Sequence, residues 1–240
     1  MDQQKETNSD YIKTAAHNYV SRAATIHGSK QVEMKGKSII HPHTCIRGDF
    51  AAVRIGRYCH IGSHVLLRPP SFQTRLNSRS SGSGVVGDDG GLQYLPLLIG
   101  NHVRIGEHCI IECASIGSSV VIGKNCVLGK RVLIKDHVVV QEGTVLADDT
   151  VIPPFSRVGG CPGKILSDFW DGGNGGGGGG NNADPNANGS GAGIVTGGML
   201  PESVAVEYVN QCTEKFSKFV KGLDGSDESA QEGGGAKLAY

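Results

Sequence analysis

An aliphatic residue returns every six positions through much of this chain, usually with glycine directly after it. That period restricts the fold more than any other feature. It runs Ile55-Gly56, Ile61-Gly62 and Leu67, then Ile99-Gly100, Ile105-Gly106 and Ile111. After a one-residue slip it continues at Ile116-Gly117, Ile122-Gly123, Leu128-Gly129, Ile134, Val140, Leu146 and Ile152. Four positions after each aliphatic residue the side chain is small or β-branched: Cys59, Val65, Val103, Cys109, Val120, Cys126, Val132, Val138, Thr144, Thr150, Ser156. An even offset puts both positions on one face of a strand. Each unit is therefore a short strand and a corner, and glycine is expected to serve the corner by taking positive φ. Three units close a coil of about eighteen residues, and coils stack at roughly 4.8 Å. The aliphatic residues then form three internal columns: Ile99, Ile116, Ile134 and Ile152; Ile105, Ile122 and Val140; Ile111, Leu128 and Leu146. A sandwich of short strands does not predict so constant a period. The predicted class is all-β, a parallel β-helix of hexapeptide repeats. The period leaves its hand open, and a left-handed coil would break the usual right-handed crossover rule.

The rest of the chain is organised around that solenoid. Residues 1–10 are polar and read as a disordered N-terminus, with no apolar stretch of a secretory signal. The helix spans 11–163, its first coils irregular, with hints of the repeat at Ile40 and Thr44. Residues 69–96 interrupt it as an inserted loop opened by Pro69-Pro70 and closed by Pro96, with a Ser/Gly-rich middle expected to be disordered. Proline at both ends should keep the excursion out of the ladder. Residues 164–199 form a Gly/Asn-rich linker. An α-helix is expected over 200–222, with Ala205, Val209, Cys212, Phe216, Phe219 and Val220 as one apolar stripe that packs on a flank of the solenoid. Residues 223–240 read as a disordered tail.

Composition excludes some functions. Basic and acidic side chains balance at 23 each, so no basic stripe marks a nucleic-acid partner. No apolar run approaches the ~20 residues of a membrane span, so direct insertion is not expected. The seven cysteines do not form a disulfide pattern, which points to a reducing compartment.

The runs Cys45 to Asp49 and Val53 to Gly56, the insertion, Ile99 to Gly106, and the closing Gly160-Cys161-Pro162 resemble the γ-class carbonic anhydrase-like family of left-handed β-helices. The resemblance implies the left hand and a three-histidine zinc site. At the matching positions this chain has Arg68, Glu107 and Glu112. Arginine has no lone pair to offer a metal. An ion-pair cluster of the three is expected instead, with Arg68 beside Glu112, worth ~0–1 kcal/mol if exposed. No tightly bound zinc, and no other cofactor, is expected.

A closer resemblance is to the dynactin subunit 5 family, on Tyr11-Ile12, Val20-Ser21-Arg22, Ile46 to Asp49, Arg68-Pro69-Pro70, Val121 to Cys126, Pro153-Pro154-Phe155, Gly160 to Gly163 and Leu200-Pro201-Glu202. It implies a non-catalytic adaptor of the dynactin pointed-end complex that supports dynein cargo attachment along microtubules, in the cytoplasm and cytoskeleton. The implied partners are dynactin subunit 6, an actin-related protein and a zinc-containing subunit. Two alternatives remain: a carbonic anhydrase-like protein with an altered metal site, and a hexapeptide acyltransferase using a histidine base.

Arg47 and Asp49 flank Gly48, and together with Arg68 they are the candidate interface residues; in the β-helix family this triplet lies where subunits meet. His102 and His137 fall three positions after the aliphatic residue, in one column with Ser119 between them, where solvated histidines are ordinary. Cys59, Cys109 and Cys126 occupy inward slots as small buried hydrophobes, and Cys161 lies after the last coil, a candidate exposed thiol.

Overall fold

The computed structural model describes residues 10–73, 92–166 and 202–231. The backbone forms a left-handed parallel β-helix of about six turns with one C-terminal α-helix. Three ladders make its sides. The first has nine strands, from Tyr11–Lys13 to Lys164–Ile165; the second has six, from Thr25–His27 to Val145–Leu146; the third has six, from Val32–Gly36 to Val151–Ile152. The chain visits the second, the third and then the first ladder in each coil. Antiparallel strands close both ends of the first ladder: Tyr11–Lys13 on Tyr19–Ser21, and Lys164–Ile165 on Arg157–Gly159.

The expected columns are present in register. Ile99, Ile116, Ile134 and Ile152 stack in the third ladder, and Met34 and Ile55 extend that column upward. Ile105, Ile122 and Val140 stack in the first ladder, between Ile61 above and Val158 below. Ile111, Leu128 and Leu146 stack in the second, beneath Ile26, Ile46 and Leu67. Almost all are fully buried, as are Val65, Val103, Cys109, Val120, Cys126, Val132 and Val138 at the second inward position. One buried Ile or Leu removed from water is worth about 1.5–3 kcal/mol, so these columns are the main stabilising element.

The glycines act differently from the expectation. None of Gly56, Gly62, Gly100, Gly106, Gly117, Gly123 and Gly129 has positive φ; a Cβ on Gly106 would meet the Gly123 carbonyl carbon at 2.6 Å. They are needed because the next coil passes so close. The left-handed turn lies two residues later, at Tyr58, His64, His102, His108, Ser119, Asn125, Arg131, His137, Gly143, Asp149 and Phe155. Side chains there run along the outside of each corner.

The inserted segment opens as an antiparallel hairpin, Ser71–Gln73 against Leu92–Tyr94, which pairs with itself and stays out of the ladders. The Ser/Gly-rich middle, the Gly/Asn linker and residues 1–9 lie outside the described residues. The helix runs Glu202–Gln231, beyond the expected end at 222, so the first part of the supposed tail is helical. It lies on the outer face of the first ladder. Phe216, Phe219, Val220 and Leu223 pack with Tyr11, Tyr19 and Ile39. Among the described residues, no helix is long and apolar enough to cross a membrane.

Candidate interaction surface

Every departure from the six-residue period falls at one corner, where the chain passes from the second ladder to the third. The inward positions there step from Ile26 to Met34, from Ile46 to Ile55, from Leu67 to Ile99 and from Ile111 to Ile116; below, Leu128 to Ile134 and Leu146 to Ile152 are regular. The extra residues of the first three steps build a surface that the bare repeat lacks, whereas the step from Ile111 to Ile116 is one residue short.

Gly28 holds the first detour at φ 62, and a Cβ there would meet the Asp49 backbone nitrogen at 2.5 Å. Gly48 is equally constrained, since a Cβ would lie 2.5 Å from Val32 Cγ2. These contacts hold Arg47 and Asp49 in place. Arg47 donates two hydrogen bonds to Asp49, Nε to Oδ1 at 2.9 Å and Nη2 to Oδ2 at 2.7 Å. The pair is about one-third exposed, at 32% and 36%. The Arg47 hydrogen bond lowers the Asp49 carboxyl to about 2, and the same bond raises the Arg47 guanidinium. Both are charged at neutral pH.

Phe50 then stacks under the guanidinium of Arg47, 4.2 Å from its ring centroid, with that of Arg68 at 5.4 Å. Tyr94, at the far foot of the hairpin, stacks on Phe50 with centroids 4.6 Å apart and rings 15° from parallel. Arg68 sits one coil below Arg47, and its Nη1 donates to Glu112 Oε1 at 3.2 Å. Arg131 reaches up from below: it is paired with Asp149 and donates to the Ser71 carbonyl at 3.0 Å, tying the hairpin base to the coils. The result is a half-exposed array of guanidinium and aromatic groups whose rotamers are held by stacking and ion pairs. Arginine and tyrosine fixed in this way are the residue types on which protein–protein affinity concentrates.

The structure joins two of the three positions expected to cluster. Arg68 meets Glu112 as anticipated, but Glu107 lies at the corner between the first and second ladders, where Lys124 Nζ bonds its Oε2 at 2.9 Å. Glu107 follows a first-ladder strand and Glu112 a second-ladder strand, so the coil itself separates them. Phe50 and Tyr94 were not anticipated; the departures from the period are the signal that marks their corner.

The histidines are less solvated than expected. His102 stacks on Tyr58 with centroids 5.3 Å apart, and its carbonyl accepts from the Cys212 thiol of the helix. His137 stacks on Phe155 at 4.7 Å. His60 lies near the helix, its Nε2 2.8 Å from His41 Nε2, and burial lowers it to about 3. Burial pushes the Cys59 and Cys113 thiols up to about 12, which keeps them protonated and unreactive. Cys161 is exposed.

A family model described as dynactin subunit 5 matches residues 3–172. The curated dynactin subunit 5 of Dictyostelium discoideum is 39% identical over 110 residues, 46% of this chain and 48% of that protein. The chain thus spans about half the length of that relative. Among solved structures, a hexapeptide transferase family protein from Anaplasma phagocytophilum is 14% identical, with TM-score 0.49, covering 83% of this chain and 89% of its own. PerB from Caulobacter crescentus, solved with CoA and GDP-perosamine, is 15% identical with TM-score 0.40, covering 62% and 56%. Neither likeness carries a functional argument.

Proposed function

The chain belongs to the dynactin subunit 5 family, and we propose that it acts in the dynactin complex as a non-catalytic adaptor of the pointed end. In this reading it binds a second β-helical chain, dynactin subunit 6, and neighbouring subunits including an actin-related protein, in the cytoplasm and on the cytoskeleton. It thereby supports attachment of cargo for dynein transport along microtubules. The observation that carries the reading is the Arg47–Asp49–Phe50–Tyr94–Arg68 array. It is ordered in the free chain, so docking against it costs little side-chain entropy. It lies at the one corner where the repeat is repeatedly interrupted.

The test is Arg47→Glu and Arg68→Glu, each in the full chain, followed by quantitative mass spectrometry of what co-purifies at native salt. Loss of stoichiometric dynactin subunits from variants that still fold and melt cooperatively is expected. Undiminished recovery of those subunits by both folded variants would refute the assignment of the interface. A lone homotrimer, zinc that survives dialysis against a chelator, or bound acetyl-CoA in the purified parent chain would refute the adaptor reading and favour the enzymatic ones.

A further inference from the structure

The corner between the first and second ladders carries a second ordered array. His43, His64 and His108 occupy the left-handed position on three successive coils, at φ 59, 57 and 56. Their rings are stacked, with centroids 4.8 Å apart in both steps and planes 19° and 5° from parallel. All three are exposed. Among the described residues none of their ring nitrogens takes a hydrogen bond or ion pair. The Glu107 carboxylate next to His108 is taken up by Lys124 Nζ at 2.9 Å and stands outside the row. Solvated imidazoles with unused lone pairs, held one strand spacing apart on a rigid coil, are suited to one class of ligand.

We propose that this row is a labile surface site for a divalent transition metal of the imidazole-preferring class, held by two adjacent histidines with water completing the shell. Metal–nitrogen bonds of about 2.0–2.1 Å need the two nitrogens closer than the rings now stand. Rotation of exposed side chains supplies that approach, while the coil keeps the backbones in register. As the rings stand, no three ligands of this region converge on one point. This makes the site exchangeable and distinct from the positions Arg68, Glu107 and Glu112. His64 is shared by both pairs and is the residue on which the site depends.

Calorimetric titration of the full chain with Zn2+, and separately with Mg2+, tests this. Zn2+ is expected to bind one per chain and Mg2+, which prefers oxygen donors, not to bind. His64→Asn leaves only rings two coils apart and is expected to weaken Zn2+ binding about tenfold or more, whereas His43→Asn keeps the His64–His108 pair and costs only a few-fold. Asparagine is chosen because Asn125 already holds the same position and left-handed conformation one coil below. Equal melting temperatures without metal would show that the variants fold. Zn2+ bound as tightly by His64→Asn as by the parent, or no better than Mg2+, would overturn the proposal.

Discussion

At the residue scale the period and its glycines carry different information. Spacing alone shows that glycine recurs but not why. It has two uses, positive φ and close approach, and only the stacking of coils shows that the second applies here. Gly106→Ala should therefore destabilise the chain by about 1–3 kcal/mol in urea unfolding, because the new methyl group would overlap the Gly123 carbonyl carbon. Gly143 is the opposite case: it has φ 70 and nothing within 4 Å of a Cβ. Gly143→Asn should change stability by no more than about 0.5 kcal/mol, since asparagine tolerates this conformation and restricts the unfolded chain.

The pH dependence is also a residue property. His60 is lowered to about 3 by burial, with His41 and nearby cations adding to it. The unfolded histidine binds a proton near pH 6.5 and the folded one does not. Stability is then complete above that pH and falls as pH drops from 6.5 toward 3, by about 1.4 kcal/mol per unit at most. Asp49 is also lowered, by its hydrogen bond from Arg47, so its contribution has the same sign in a more acid window: it is present above the ordinary carboxylate range and is lost as pH falls toward about 2. Comparing urea midpoints at pH 7 and 5 reads His60 together with His102, which burial also lowers, and His60→Gln should remove the His60 share and flatten the slope between them.

At the scale of elements, the helix was legible because its apolar residues recur at helical spacing, whereas its landing site was not. Tyr19 and Ile39 point outward from the first ladder and look like ordinary strand residues until the helix covers them, to 4% and 2% exposure. Phe219 is the centre of that contact, edge-on to Tyr11, Tyr19 and His41 with centroids 5.0, 5.7 and 6.0 Å away. Phe219→Ala should cost about 2–3 kcal/mol, below the value for a fully enclosed ring because Phe219 is only half-buried. Hydrogen exchange should accelerate through the helix and leave the lower coils unchanged. The N-terminal coils were only hinted at because the steps from Ile26 to Met34 and from Ile46 to Ile55 break the count. The candidate surface array stayed hidden for a further reason: Tyr94 reaches Phe50 from across the whole insertion.

At the scale of the whole molecule the β-helix is a one-dimensional stack, in which each coil contacts only the coils above and below. Stability is then nearly a sum over neighbouring interfaces, and the cost of a core deletion should depend on how many interfaces it touches. Ile122 is an interior case, packed in register between Ile105 and Val140. Ile152 is a terminal one, paired with Ile134 alone at the end of the third ladder. Both are aliphatic and buried, at 1% and 2% exposure, so burial by itself predicts equal losses. The stack predicts otherwise: Ile122→Ala should lose about 3–5 kcal/mol and Ile152→Ala about half of that. Hydrogen exchange separates the two accounts more sharply than the midpoints. Ile152→Ala should release the strands at Val145–Leu146 and Val151–Ile152 while the coils from Val53 to Leu128 keep their protection. Equal acceleration in every coil would instead show a single cooperative core, in which damage at one end is felt at the Arg47–Arg68 surface near the other.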